Sequence, residues 1–132
     1  MQSAGYIPII AHPERYRIVK ENPQVIEEWQ KAGAVFQSNI GSLFGRYGKE
    51  AKSTLITLLK HKAISFIASD IHHSRDTFYE DIPKLKKMLK KIVKEDYIEE
   101  LFELNGKKVL NNEKIEVREI IPFQKNIFGQ YK

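Results

Sequence analysis

The sequence predicts an α/β chain in which parallel strands alternate with helices, forming part of a larger sheet or barrel. Three observations predict it. Apolar runs of strand length, Ile7-Pro8-Ile9-Ile10, Ala34-Val35-Phe36 and Ile64-Ser65-Phe66-Ile67-Ala68, are separated by stretches whose apolar residues recur at helical spacing. Such alternation implies parallel strands joined by helical crossovers. The strands are apolar on both faces, as in sheets that are covered on both sides. Three parallel strands alone make a poor domain, and only six residues precede the first, so further strands are expected from outside this chain.

The elements follow in order. Residues 7–11 read as the first strand. Asn22 is a candidate N-cap with Pro23 at the first helical position. A helix is therefore expected over about 23–32, with Val25, Ile26 and Trp29 inward and Gly33 as its C-cap. Ala34-Val35-Phe36-Gln37-Ser38-Asn39 is the second strand, and Gly41, Gly45 and Gly48 punctuate the loop after it. Leu55, Ile56, Leu58 and Leu59 mark a helix over about 47–62, with His61 a surface or structural residue, and 64–69 is the third strand. Beyond Asp70 the pattern is helical, over about 80–93 and again over about 95–105. The last helix buries Tyr97, Ile98, Leu101, Phe102 and Leu104, and Asn105-Gly106 ends or bends it. Val109-Leu110-Asn111-Asn112 is ambiguous, and the stretch from Val117 to Lys132 has no clear period and is expected to be an extended arm.

Composition bounds the function. The chain has 132 residues, 42% hydrophobic and 30% charged, which is a globular balance. No apolar run approaches the roughly 18–20 residues that span a bilayer. Met1-Gln2-Ser3-Ala4 lacks the features of a signal peptide, so a cytoplasmic location without membrane insertion is the expectation. There is no cysteine, which excludes disulfides, thiolate metal sites and a cysteine nucleophile. Lys+Arg 22 against Asp+Glu 17 gives a net charge of +5. Much of the excess lies in Lys84-Leu85-Lys86-Lys87-Met88-Leu89-Lys90-Lys91. There Ile82, Leu85, Met88, Leu89 and Ile92 recur at helical spacing, so the lysines form the solvated face of a helix. No aromatic residues interleave them as a base-stacking platform requires, and no nucleic-acid partner is expected.

The chemistry gathers where strands end. His12, Asn39 and Asp70 each lie at or just past the carboxyl end of a strand, the edge where parallel α/β sheets and barrels build their sites. Asp70 and His72 are two apart, so an extended chain points both to one side and His73 to the other. Imidazole together with carboxylate suits Zn, Mn or Fe better than Ca or Mg alone. Each residue also has a plainer role open to it: His12 bonding the next loop, Asp70 capping a helix, Arg15 in a surface ion pair. Glu14 is a candidate ligand or general base, or equally a partner for Arg15. Arg15, three residues past His12, is placed to fork two phosphate oxygens, and Arg75 and His73 are secondary candidates. Gly41-Ser42-Leu43-Phe44-Gly45-Arg46-Tyr47-Gly48-Lys49 fails the P-loop and G-x-G-x-x-G patterns and reads as a tight turn into a helix.

Three stretches carry a family resemblance. They are Gly5-Tyr6-Ile7-Pro8-Ile9-Ile10-Ala11-His12-Pro13-Glu14-Arg15-Tyr16, Gln37-Ser38-Asn39-Ile40-Gly41-Ser42-Leu43-Phe44-Gly45 and Ile67-Ala68-Ser69-Asp70-Ile71-His72. From about residue 4 to about 112 the chain resembles the C-terminal half of the bacterial tyrosine-protein phosphatases of capsule and exopolysaccharide synthesis, in the polymerase-and-histidinol-phosphatase (PHP) superfamily. The resemblance implies residues 1–112 as the C-terminal portion of a distorted, TIM-like (β/α)7 barrel, with 113–132 as a tail. It implies manganese or a similar divalent ion (Fe, Zn or Mg), and a metal-bound hydroxide that attacks the phosphorus of phosphotyrosine. By position, His12, Asp70 and His72 match metal ligands and Arg15 matches a phosphate-holding arginine. The implied partner is a phosphotyrosine protein, such as a tyrosine kinase of polysaccharide export.

Two departures qualify the resemblance. The family opens with a His-x-His run and draws further ligands from its N-terminal half, and this chain contains no His-x-His. The family's second phosphate-binding arginine also lies farther past Asp-x-His than Arg75 does. Three ligands are too few for a multinuclear cluster. The chain is therefore expected to be a fragment with an incomplete metal site, weak or inactive alone, and open to self-association through an exposed barrel edge. Two other readings stand beside this one. One is another PHP-type phosphoesterase, acting on histidinol phosphate or nucleic acid, which the Ala11-His12-Pro13-Glu14-Arg15-Tyr16 run disfavours. The other is a non-catalytic fragment that binds phosphotyrosine or a kinase tail through Arg15, Arg46 and the basic helix.

Overall fold

Val35-Phe36 and Phe66-Ile67-Ala68 supply the β-branched and aromatic side chains that suit a covered sheet. They form strands as the sequence expects. The computed structural model describes residues 5–73, 81–124 and 131. Strands β1 (Ile9–Ala11), β2 (Val35–Asn39) and β3 (Phe66–Ala68) pair in parallel in the order β1-β2-β3. Ile9 lies opposite Val35, Ala11 opposite Gln37, Gln37 opposite Phe66 and Asn39 opposite Ala68. All three carboxyl ends therefore emerge along one edge.

The helices are α1 (Arg17–Glu21), α2 (Val25–Lys31), α3 (Ile40–Leu43), α4 (Lys49–Lys60), α5 (Ile82–Leu89), α6 (Glu95–Glu99) and α7 (Asn105–Leu110). A 3-10 turn covers Pro13–Arg15 and a π-helical turn covers Glu100–Leu104. Helix α1 is unanticipated, because a five-residue element that buries only Val19 has no periodicity to read. Asn22 does not cap α2. The N-cap is Gln24, with Pro23 in the turn before it. At the other end Gly33 (φ 85°) takes the left-handed conformation, with Gly33 N–H donating to the Gln30 carbonyl (2.7 Å) and Ala34 N–H to that of Trp29 (2.9 Å). This is the helix stop that glycine permits.

One sheet face presents Ile10, Phe36 and Ile67 to a core with Val19, Ile26, Leu43, Leu55, Leu58 and Leu59. Trp29 stacks on Phe36 at 6.4 Å between ring centroids. The opposite face is only partly covered. Val35 and Phe66 form a small cluster with Ile115, beside an open groove lined by Ile9, Gln37, Phe66, Ala68, Phe102, Val109 and Leu110. Helix α5 buries Leu85 and Leu89 and turns its lysines outward, as its spacing requires.

Two C-terminal expectations change. The helical path does not end at Asn105-Gly106. The irregularity is the π turn just before it, after which Asn105 is buried and its Nδ2 donates to the Ser65 carbonyl at 2.9 Å. The segment after α7 has no regular structure in 113–124, yet Ile115, Ile120 and Phe123 are buried. His61 holds this segment. Its ring stacks on Phe123 at 4.2 Å, Nδ1 bonds the Ile121 carbonyl (2.6 Å), and its own carbonyl accepts from Ile121 N–H (2.9 Å). Arg118 forks Glu100 with two 2.8 Å hydrogen bonds and reaches Asp96 at 2.8 Å. Those hydrogen bonds hold the arginine's pKa above its ordinary value and the Asp96 carboxyl below its own.

Tyr97 ties α6 to the start of β3. Its hydroxyl donates to the Ile64 carbonyl (2.5 Å) and accepts from Ile64 N–H (3.1 Å), and burial holds its pKa above the ordinary tyrosine value. The folded protein therefore keeps a proton that the unfolded chain releases from about pH 10 upward. Stability is expected to fall as pH rises past about 10. Tyr97→Phe is expected to remove that alkaline slope while costing about 1–2 kcal/mol at neutral pH. Urea midpoints at pH 7, 9.5 and 10.5 test both outcomes, and an unchanged alkaline slope in the variant contradicts the assignment.

Candidate metal and phosphate site

The first strand end carries an unusual backbone. His12 N–H donates to the Gln37 carbonyl at 2.6 Å, extending the ladder one residue beyond β1. His12 then takes φ 41°, ψ 53°, a left-handed conformation that costs a non-glycine residue energy and collects at functional sites. The turn lets Pro13 start the 3-10 segment and swings Glu14 inward while Arg15 faces solvent. His12 Nδ1 is buried without a hydrogen-bond partner, and the ring meets Tyr16 edge-on at 5.9 Å.

Glu14 is fully buried. One carboxylate oxygen accepts from Ser38 Oγ (2.9 Å), and the other from Ser42 Oγ (2.6 Å) and Asn39 N–H (3.4 Å). It does not pair with Arg15, contrary to one of the alternatives the sequence left open. A carboxylate with both oxygens engaged by donors is a bracket that seats the His12–Arg15 turn on the end of β2. The signal for it lay in the second strand, where Ser38 interrupts an otherwise apolar face.

The third strand end repeats the device. Asp70 takes φ 55° and its Oδ2 accepts from Asn39 Nδ2 at 2.8 Å. Asn39 Oδ1 in turn accepts from Gln37 Nε2 at 2.7 Å. The extended backbone that would align Asp70 with His72 is therefore not present. Instead His72 Nδ1 bonds the Asp70 carbonyl at 2.8 Å, and the His72 and His73 rings lie 4.4 Å apart. Arg75 lies outside the described residues. The Arg15 guanidinium sits over the Tyr47 ring, 4.4 Å from its centroid.

The donor set fits a divalent transition ion in kind. A buried imidazole nitrogen with no partner is the condition a metal relieves, and imidazole with carboxylate is the mixture such ions take. In number it falls short: among the described residues, no group of three or more His, Cys, Asp or Glu converges on one point. No helix among them is long and apolar enough to cross a membrane.

A parallel α/β sheet with imidazole, carboxylate and guanidinium groups at its carboxyl edge is the class that this geometry defines. The chain belongs to the CpsB/CapC family of capsular polysaccharide synthesis, whose family model matches residues 1–111. It is 44% identical over 73 residues to the tyrosine-protein phosphatase YwqE of Bacillus subtilis, covering 55% of this chain and 29% of that one. It is 35% identical over 117 residues to CapC of Staphylococcus aureus, provisionally named a tyrosine-protein phosphatase, covering 87% of this chain and 44% of CapC. Its fold matches, with a TM-score of 0.78 and 31% identity, a chain from crystal structures of YwqE from Bacillus subtilis and CpsB from Streptococcus pneumoniae, described as metal-dependent tyrosine phosphatases. That match covers 94% of this chain and 49% of the solved one. The chain thus spans less than half the length of each relative.

Proposed function

We propose that this chain carries one part of the active site of a metal-dependent protein-tyrosine phosphatase that regulates capsule or exopolysaccharide synthesis. The buried, unpartnered Nδ1 of His12 at the carboxyl edge of the sheet carries the reading. In it, His12, Asp70 and His72 each contribute a ligand to a metal site that donors from outside this chain complete, and manganese is the leading candidate for the metal. A bound divalent ion activates water and neutralises phosphate oxygens. Arg15, and Arg75 with it, bind the phosphate, while Glu14 and Asn39 orient the neighbouring side chains. The remaining donors belong to sequence that the relatives carry and these 132 residues lack.

The same proposal includes the finer points of fold and setting. The half-covered sheet face, with Ile9 and Leu110 46% and 87% exposed, supports a place in a distorted (β/α)7 barrel or, in the isolated chain, self-association. A tyrosine-phosphorylated kinase of polysaccharide export is the proposed substrate, and the cytoplasm the proposed location.

The experiment mixes this chain with the N-terminal half of the Bacillus subtilis relative and follows a phosphotyrosine peptide, p-nitrophenyl phosphate and histidinol phosphate with Mn2+. Turnover of the phosphotyrosine peptide only in the mixture, abolished by EDTA and by His12→Ala, is expected. Sedimentation of the chain alone is expected to show association with rising concentration. Robust metal-dependent hydrolysis by this chain alone, lost in His12→Ala, overturns the half-site reading. A preference for histidinol phosphate overturns the assigned substrate.

A further inference from the structure

We infer that Tyr47 is the positioning residue that presents Arg15 to a phosphate group, an inference that rests on the phosphatase reading above. Arg15 ends the 3-10 turn and is exposed. A long guanidinium side chain in that position samples many rotamers unless something holds it. Its acidic sequence neighbour does not, because Glu14 is buried and already accepts from Ser38, Ser42 and Asn39. The Tyr47 ring lies under the guanidinium at 4.4 Å. A carboxylate partner would occupy the N–H fork and cancel the charge that a phosphate needs. An aromatic face engages only the π surface of the guanidinium, leaving its in-plane N–H groups and its charge available.

The glycine-rich loop supplies the ring. Arg46 N–H donates to the Gly41 carbonyl (2.9 Å) and Gly48 N–H to that of Gly45 (3.1 Å). Gly45 and Gly48 take φ 79° and 92°, which fold the loop back over α3. The ring then rests on Gly41, where an added Cβ would lie 2.9 Å from Tyr47 Cε2. The bare backbone at 41 is thus a condition for the ring's position, and the Gly41-to-Gly48 loop acts on phosphate through Arg15.

The test is made on the whole chain without metal, following the Arg15 Nε–Hε resonance by NMR during titration with inorganic phosphate. In the native protein the ring is expected to shift that resonance upfield. Tyr47→Leu is expected to abolish the shift and weaken the apparent phosphate affinity about two- to five-fold, the range of an exposed cation–π contact. Tyr47→Phe is expected to restore both, and Gly41→Ala to reproduce the leucine variant by displacing the ring. Equal thermal midpoints for the leucine and phenylalanine variants separate positioning from a general loss of structure. An unchanged resonance and affinity in Tyr47→Leu overturns the inference. Arg15→Ala keeps the two readings apart. If it leaves phosphate binding intact, the phosphate role of Arg15 falls. If it weakens binding tenfold or more while Tyr47→Leu does nothing, only the positioning role falls.

Discussion

Glu14→Ala is expected to cost about 3 kcal/mol of stability, because it strands three buried donors at once. Ser38 Oγ, Ser42 Oγ and Asn39 N–H all point at the carboxylate, and no water-filled surface is at hand, since Ser38 and Ser42 are themselves fully buried. Desolvating the charge opposes this gain, so the intact bracket contributes less than its three bonds suggest, while breaking it from one side carries the full penalty. Glu14→Gln is expected to cost less, about 1–2 kcal/mol, because the amide oxygen still accepts from Ser42 Oγ and Asn39 N–H while the Ser38 hydroxyl rotates to accept from the NH2 group. Urea denaturation of the two variants reads the difference. A loss below about 1 kcal/mol in Glu14→Ala would contradict the bracket. The alanine variant should also release the strained turn at His12, whose side chain adjoins the bracket in sequence.

The sequence made the sheet legible and the bracket nearly illegible. Long patterned stretches such as Lys49–Lys60 declare themselves, because Leu55, Leu58 and Leu59 repeat on one helical face. Strands apolar on both sides declare a parallel sheet. Asp70 and His72 were visible as residue types at a strand end. Their relative placement was not, since it hangs on the φ of 55° at Asp70, which no residue alternation encodes. In sequence Glu14 suits a ligand, a base or a partner for Arg15, because its nearest cation is one residue away. In the fold its partners are 24, 25 and 28 residues distant. Separation along the chain likewise hid Tyr47 from Arg15. A five-residue helix with one inward residue, and a capping role passed from Asn22 to Gln24, lie below what local pattern resolves. The docking of Ile120 and Phe123 was hidden for another reason: an irregular segment has no period, however well it packs.

Asn39→Leu is expected to lower Mn2+ affinity about 10- to 100-fold, the usual effect of removing the group that orients a ligating carboxylate. Asn39 is buried at the end of β2. It spends its amide on two neighbours, accepting from Gln37 Nε2 at 2.7 Å and donating to Asp70 Oδ2 at 2.8 Å. It is the direct link between the second strand end and the third, and it holds the carboxylate of a residue whose backbone is already strained. Leucine keeps the branched heavy-atom outline while deleting both bonds, and the stability loss is expected to be near 1–2 kcal/mol. The two effects therefore separate: Glu14→Ala acts first on folding, Asn39→Leu first on the metal. Calorimetric titration with Mn2+, run beside urea denaturation of the same samples, reads both quantities. Unchanged Mn2+ affinity in Asn39→Leu, with Asp70→Ala abolishing binding, would show that Asp70 needs no orienting partner. Unchanged affinity in both would remove Asp70 from the metal site altogether.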